Sequence, residues 1–381
     1  MKRILVLTST FPLNQQNPIN PSIKNLVLHL SKNLKITLLL PDHTELDVSD
    51  LKQRNIKIVR FRYFWPRSFQ KLVYGSGIIP NIKSNPLLTF EIVPFIISQI
   101  LIIKKLLNAD KINLILANWA VPSGLSAALS PSKKNVRIIT YVYGSDVNIN
   151  NYIYRKLLVY TLNRSAFILT VSKSLARALA KNLNSTKVSV IPQGIKITKP
   201  ITKKRKCQII FAGRLIREKG AKILIDAFHI IKYKYPKFKL LIIGDGPQKK
   251  QLKKYVVKNN IPDVNFLGNL PNQKLLVILR KSMLFVFPST LQEGLPNILL
   301  EAGISKLPIL TNDTGGVRDL LSERTGYFAK PDPILIAKKI ILILSDYGKA
   351  LKKSNILYKK INDNFSIKNS MGKILKIINS L

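Results

Sequence analysis

Short apolar runs alternate with helix-length stretches along most of this 381-residue chain. In the first half, Ile4–Leu7, Ile36–Leu40, Ile56–Phe61, Leu114–Ala117, Ile138–Tyr143, Phe167–Val171 and Val188–Ile191 predict strands. Between them, Pro21–Asn33 and Asn151–Asn163 have the length and pattern of helices. The second half repeats the texture, with predicted strands at Cys207–Ala212, Leu240–Ile243, Asn265–Leu267, Leu284–Phe287 and Pro308–Leu310. Helices are expected over Ala221–Tyr233 and from about Asn297. After Leu320 the chain is expected to be helical to Leu381, mainly over Asp332–Ser345 and Ile367–Ile378. Strands alternating with helices imply βαβ units and parallel sheets covered on both faces. Ligands of such sheets bind beyond the carboxyl ends of the strands, so the loops after the strands are where chemistry is sought.

Chain length allows two domains of ordinary size. A basic linker, Lys196–Lys206, contains Pro200 and sets the expected boundary near residue 197. The expected division is 1–197, 198–360 and a closing helix over 361–381. Charge is the compositional anomaly: 62 Lys+Arg stand against 19 Asp+Glu. The excess is spread over both halves and favours anionic partners, namely phosphate-bearing ligands, anionic lipid or nucleic acid. A lysine-rich proteome is the plain alternative. With one cysteine, Cys207, no internal disulfide can form. The run in MKRILVLTST is short and reads as a first strand rather than a signal peptide. Ile92–Ile103 is the most apolar segment, but it contains Pro94 and is closed by Lys104-Lys105. A span needs roughly 20 apolar residues, so a domain helix is expected there, with a membrane-surface helix as the other reading.

The densest candidate chemistry lies in Phe287–Leu320. A strand breaks at Pro288, and a loop with Glu293, Gly294, Leu295 and Pro296 leads into a helix near Asn297 that carries Glu301. Backbone N–H groups at a helix start favour anions, whereas the two carboxylates accept from hydroxyls. A ligand with polyols at both ends of a diphosphate meets both demands. Upstream, GRLIREKG (Gly213–Gly220) follows a strand and precedes a helix, placing Arg214 and Lys219 where phosphate oxygens would be met. Taken singly, these residues also read as solvated surface charges.

EGLPNILLEA followed by Gly315-Gly316 resembles the donor-site signature of retaining glycosyltransferases of the GT-B fold, specifically glycosyltransferase family 4. The resemblance implies two Rossmann-like α/β domains with parallel sheets facing across a cleft, and a C-terminal helix crossing back to the first domain. It implies an N-terminal acceptor domain and a C-terminal nucleotide-sugar domain. By the same resemblance Glu293 faces the donor sugar, Glu301 holds the ribose hydroxyls, and Arg214 and Lys219 serve the diphosphate. Gly244 and Gly268, at strand ends, would neighbour the base. NWAVPSG and YGSD resemble the family's HW-x-x-PSG and HG-x-D segments, but Asn118 and Tyr143 stand where histidines are usual. Asn118, Tyr143 and Gly144 are candidate sugar or acceptor contacts, and Asp146 a catalytic candidate, or else a plain turn or N-cap aspartate. The loop Ser9-Thr10-Phe11-Pro12 lacks the family's glycine pair and is assigned no phosphate role.

Transfer of a sugar builds negative charge on the leaving diphosphate, which preorganised positive groups must stabilise. The chain has no Asp-x-Asp motif and no His or Cys cluster, so no metal or other cofactor is expected, with Arg214, Lys219 and helix N-termini in that role. The resemblance implies a retaining hexosyltransferase-type enzyme of polysaccharide or glycolipid assembly. The basic charge suggests a lipid-linked or phosphate-bearing acceptor and a cytoplasmic enzyme peripheral at the inner face of the cell membrane. Alternatives are a GT-B relative without transfer activity acting as a scaffold, or a sugar-nucleotide epimerase. A nucleic-acid-binding protein is the remoter alternative, since no reader motif is present and specific nucleic-acid binding is not expected.

Overall fold

The computed structural model describes residues 1–13, 21–51, 55–75, 77–130, 135–144, 146, 147, 149, 151–180, 183, 187–198 and 205–381. The polar run 14–20, Ser145 of the YGSD segment and linker residues 199–204 lie outside them. Two compact units form: Met1–Gln193 with Ser370–Leu381, and Gly194–Asn369.

The first unit carries a seven-stranded sheet of β1 (Arg3–Leu7), β2 (Lys35–Pro41), β3 (Ile56–Phe61), β4 (Leu114–Asn118), β5 (Arg137–Val142), β6 (Phe167–Thr170) and β7 (Lys187–Val190). Its order is β3-β2-β1-β4-β5-β6-β7. Every pairing is parallel, with Leu5 opposite Thr37 on one side and Ile115 on the other. The central strands are nearly continuous apolar runs, as expected where both faces are covered; Ile4, Leu5, Val6 and Leu7 are all fully buried.

The second unit repeats the plan with β8 (Gln208–Ala212), β9 (Lys239–Ile243), β10 (Val264–Gly268), β11 (Leu284–Phe287), β12 (Ile309–Thr311) and β13 (Tyr327–Phe328). The order is β10-β9-β8-β11-β12-β13, again parallel. In each sheet the strand order reverses once, between β1 and β4 and between β8 and β11. Such a reversal leaves a crevice at the carboxyl ends of the two central strands. Asn118 ends β4, Arg214 follows β8, and Glu293 lies in the loop after β11, so the candidate residues flank these two points.

Three expectations are corrected. The region after Leu320 is not wholly helical, because β13 adds a strand beside β12. The second unit begins at Gly194 and keeps residues 361–369. Ile361 and Phe365 are buried in its core, and Ile195 is tied to the same segment, donating to Phe365 O at 2.8 Å and accepting from Ile367 N at 3.0 Å. Only the segment from Ser370 belongs to the first unit, where Lys2 Nζ donates to Ile378 O at 3.0 Å. Finally, the apolar helix does not stop at Lys104-Lys105. A 3-10 turn, Pro86–Glu91, runs into a helix over Ile92–Ala109, giving 24 helical residues long and apolar enough to cross a membrane by length and composition. Pro94 is accommodated because it sits in the helix's first turn, where a missing N–H breaks no intrahelical bond.

Candidate functional site

The second unit's site is built from four strand-end loops. After β8, the chain makes a 3-10 turn, Arg217–Lys219, and enters the helix Ala221–Lys232 through Gly220. Gly220 is left-handed (φ 76°), and a Cβ there would lie 2.4 Å from Pro288 O. Only glycine lets the two loops close. Thr290 N donates to Glu218 O at 2.8 Å and locks them together. The result is that Lys219 Nζ, only 12% exposed, donates to Glu293 Oε1. The same ammonium sits 5.0 Å from the Phe287 ring centroid.

Glu293 Oε2 is buried and has no hydrogen-bond partner among the described residues. A buried carboxylate oxygen without a donor is costly, so Glu293 Oε2 has acceptor capacity that the described residues leave unused. Its backbone is held from the other side by the glycine pair. Gly316 N donates to Glu293 O at 2.9 Å, and Gly315 N donates to Gln292 Oε1 at 2.8 Å. Gly315 is also left-handed (φ 53°), and a Cβ would stand 2.1 Å from Glu293 O.

Gly294, Leu295 and Pro296 lead into the helix Asn297–Ile304, whose N-terminus has no side-chain cap. Leu299 N donates to Pro296 O at 3.0 Å, and the partial positive charge of this helix start favours an anion. The helix Ala221–Lys232 likewise starts without a side-chain cap. Glu301, one turn further along, accepts from Asn272 Nδ2 at 2.6 Å. Burial pushes the Glu301 carboxyl up to about 7, with the Asn272 bond pulling it back. Arg214 stands apart from both carboxylates: its guanidinium ion-pairs with none of the described residues. At the neighbouring edge Gly244 N donates to Gly268 O at 2.8 Å, joining the ends of β9 and β10.

The first unit's candidates form a closed network. Asn118 is fully buried; its Nδ2 donates to Leu7 O at 2.9 Å, and its Oδ1 accepts from Tyr143 Oη at 2.6 Å. The Tyr143 ring packs between Tyr141 (4.6 Å, stacked) and Trp119 (5.1 Å). Burial keeps the Tyr143 hydroxyl protonated by raising it well above its ordinary value. Asp146 is 1% exposed and accepts from Ala120 N at 3.0 Å and Tyr143 N at 2.9 Å. It thus ties the loop after β4 to the loop after β5. Burial raises its carboxyl to about 6, while these backbone N–H groups oppose the shift. Gly144 continues that loop, accepting from Val147 N at 3.1 Å.

Lys219 and Glu293, singled out separately in the sequence, are thus brought together, whereas Arg214 is not joined to them. Asn272 and Gln292 were missed. Gln292 borders the motif and could have been flagged as the neighbour of Glu293. Nothing in the spacing relates Asn272 to Glu301, 29 positions away.

Two parallel-sheet α/β units of this kind match the GT-B fold of solved glycosyltransferase structures. A Glyco_transf_4 model (Glycosyltransferase Family 4) matches residues 25–199, and a Glycos_transf_1 model (Glycosyl transferases group 1) matches residues 195–361. The chain belongs to this glycosyltransferase family. It is 27% identical over 305 residues to the glycosyltransferase MJ1178 of Methanocaldococcus jannaschii, itself uncharacterized, covering 79% of this chain and 84% of that one. It is 30% identical over 236 residues to TuaC of Bacillus subtilis, named as a candidate teichuronic acid biosynthesis glycosyltransferase, covering 58% of each. Among solved structures, Anabaena HepE in complex with UDP and glucose superposes with a TM-score of 0.76 at 17% identity, over 100% of both chains.

Proposed function

We propose that the protein transfers a sugar from a nucleotide-sugar donor to an acceptor hydroxyl, without a metal ion and with retention at the anomeric carbon. The observation that carries this reading is the pair Lys219–Glu293, with Glu293 Oε1 on the ammonium and Oε2 buried and unpartnered. A carboxylate oxygen without a donor from the described residues is an acceptor for a sugar hydroxyl. Glu301, anchored by Asn272, is the acceptor for the ribose hydroxyls. In the reaction the anomeric carbon–oxygen bond to the diphosphate breaks, and a bond to the acceptor oxygen forms. The acceptor's proton leaves with the departing phosphate oxygen or passes to solvent. Charge grows on the diphosphate, where Arg214, Lys219 and the uncapped starts of the helices Ala221–Lys232 and Asn297–Ile304 stabilise it. Relatives named for polysaccharide assembly support that role, and the family resemblance supports hexosyl transfer with retention.

In the first unit, Asp146 is a positioning residue that fixes the loop bearing Tyr143 and Gly144, and Asn118 orients the Tyr143 hydroxyl. The acceptor we propose is lipid-linked or phosphate-bearing, met by a cytoplasmic enzyme at an anionic membrane. Nucleoside diphosphate release from UDP-, GDP- and ADP-sugars, with EDTA present and with and without a membrane lipid extract, tests the reading. Release that depends on the extract and falls about 100-fold or more in Lys219→Met supports it, since one lost transition-state donor costs on that order. Release indifferent to the extract would favour a relative without transfer activity.

A further inference from the structure

The helix Ile92–Ala109 is apolar on both sides. Phe95, Gln99, Ile103, Leu106 and Leu107 are buried in the first unit. On the opposite face Val93, Ile97 and Leu101 are 61%, 51% and 62% exposed, and Phe90 and Leu87 of the preceding turn are 76% and 70% exposed. A helix apolar all round normally sits in a core or in lipid. This one has its inner face packed in the first unit and its outer face bare.

We propose that this outer face, with the aromatic loop beside it, is a docking surface for an anionic lipid bilayer, the helix lying in the plane of the interface. This deepens the membrane reading proposed above and rests on it. The loop belongs to the surface because it is fastened to the start of the same helix. Phe61 and Tyr63 pack edge-on against Phe95 at 5.2 and 5.1 Å, and the N–H groups of Lys71 and Leu72 donate to Glu91 Oε2. Between those anchors, Trp65 is 85% and Phe69 58% exposed. Aromatic rings of this kind favour the headgroup level of a bilayer.

Charge decides the occupant. From Arg62 to Ala109 the only carboxylate is Glu91, and it is buried beneath the loop. The cations of the same stretch are Arg62, Arg67, Lys71, Lys83, Lys104 and Lys105. Asp42 pairs with Arg60, Arg62 and Arg67 together, so even there the balance stays positive. Lys104 and Lys105 stand exposed at the end of the apolar row, where long stems can lie along lipid and carry their charge to phosphate. An apolar row flanked by an excess of cations matches anionic lipid. A second copy of the same strongly basic face would repel it.

The test is co-sedimentation of the full chain at physiological salt with vesicles of phosphatidylcholine alone or with about a third phosphatidylglycerol. Wild type is expected to pellet with the anionic vesicles and not the neutral ones. Phe90→Ser, Ile97→Ser and Leu101→Ser together keep the net charge and should reduce partitioning at least tenfold without altering thermal unfolding. Lys104→Gln with Lys105→Gln should reduce it severalfold. Brominated lipid should quench tryptophan fluorescence in wild type, and Trp65→Phe should lose that quenching. Equal partitioning of wild type and the triple variant would overturn the proposal, because bulk charge elsewhere would then be responsible. So would a wild-type dimer that the triple variant splits while vesicle binding stays unchanged. Calorimetric donor binding on the same samples separates the two readings: binding with no vesicle association sinks the docking face and leaves the glycosyltransferase site standing.

Discussion

Tyr143 Oη donates to Asn118 Oδ1 at 2.6 Å, and these are the two positions where family patterns carry histidines. The two side chains are therefore directly joined. Each residue satisfies the other beside a stack of Trp119, Tyr143 and the buried Tyr141. Tyr143→Phe strands the Asn118 oxygen and should lower unfolding free energy by about 1–3 kcal/mol, the cost of a buried acceptor left bare. Asn118→Leu with Tyr143→Phe should recover part of that loss. Strict additivity of the two single variants in urea unfolding would show that the pair is not coupled.

The Glu301 carboxyl, raised to about 7 by burial, predicts pH-dependent donor binding. Its folded value lies above the ordinary 4.5, so the protonated form is favoured in the fold. The stability it contributes is present below about 4.5 and is lost as pH rises through about 7. Binding runs the other way, because the ionised form is the stronger acceptor for ribose hydroxyls. Donor affinity should rise from pH 6 to a plateau above pH 7, with pH 6 weaker by about tenfold. In Glu301→Gln the profile should be flat. A flat profile in wild type would remove Glu301 from the donor site.

Gly315 has φ 53° and no room for a Cβ beside Glu293 O. Gly315→Ala adds about 1 kcal/mol of backbone strain and must displace the loop that carries Glu293. Transfer should fall by an order of magnitude or more while the sheet of the second unit stays folded. Gly348→Ala, near the start of the helix Tyr347–Asn364, where a Cβ would meet only Asp346 Oδ1 at an ordinary 3.9 Å, is the control and should leave activity unchanged. Equal activity of the two variants would show that the glycine pair does not set the position of Glu293.

Much of this was legible in the chain. Parallel strands flanked by helices announce themselves as apolar runs, and twelve of the thirteen strands among the described residues lie within a residue or two of the expected ones. The exception, Tyr327–Phe328, is two residues long, too short for any periodicity, and exists only because β12 offers it an edge. The apolar helix was cut short at Lys104-Lys105 because charge was read as a stop. Both lysines project from the exposed face and leave the inner face, Ile103, Leu106 and Leu107, free to continue the core. Lys219 and Glu293 were recognisable one by one, but the bond between them spans 74 positions and depends on the close approach of Gly220 to Pro288. Asn272 carried no signal, since its partner is chosen by the packing of two helices rather than by spacing.

The central claim is that Glu293, Glu301, Arg214 and Lys219 form a nucleotide-sugar site that needs no metal. Titration calorimetry of UDP-, GDP- and ADP-sugars into wild type and Glu301→Ala, with EDTA present, tests it most directly. The account predicts base-selective binding to wild type that EDTA does not weaken and that falls at least tenfold in the variant. Binding that requires a divalent ion, or that is unchanged by Glu301→Ala, would contradict it.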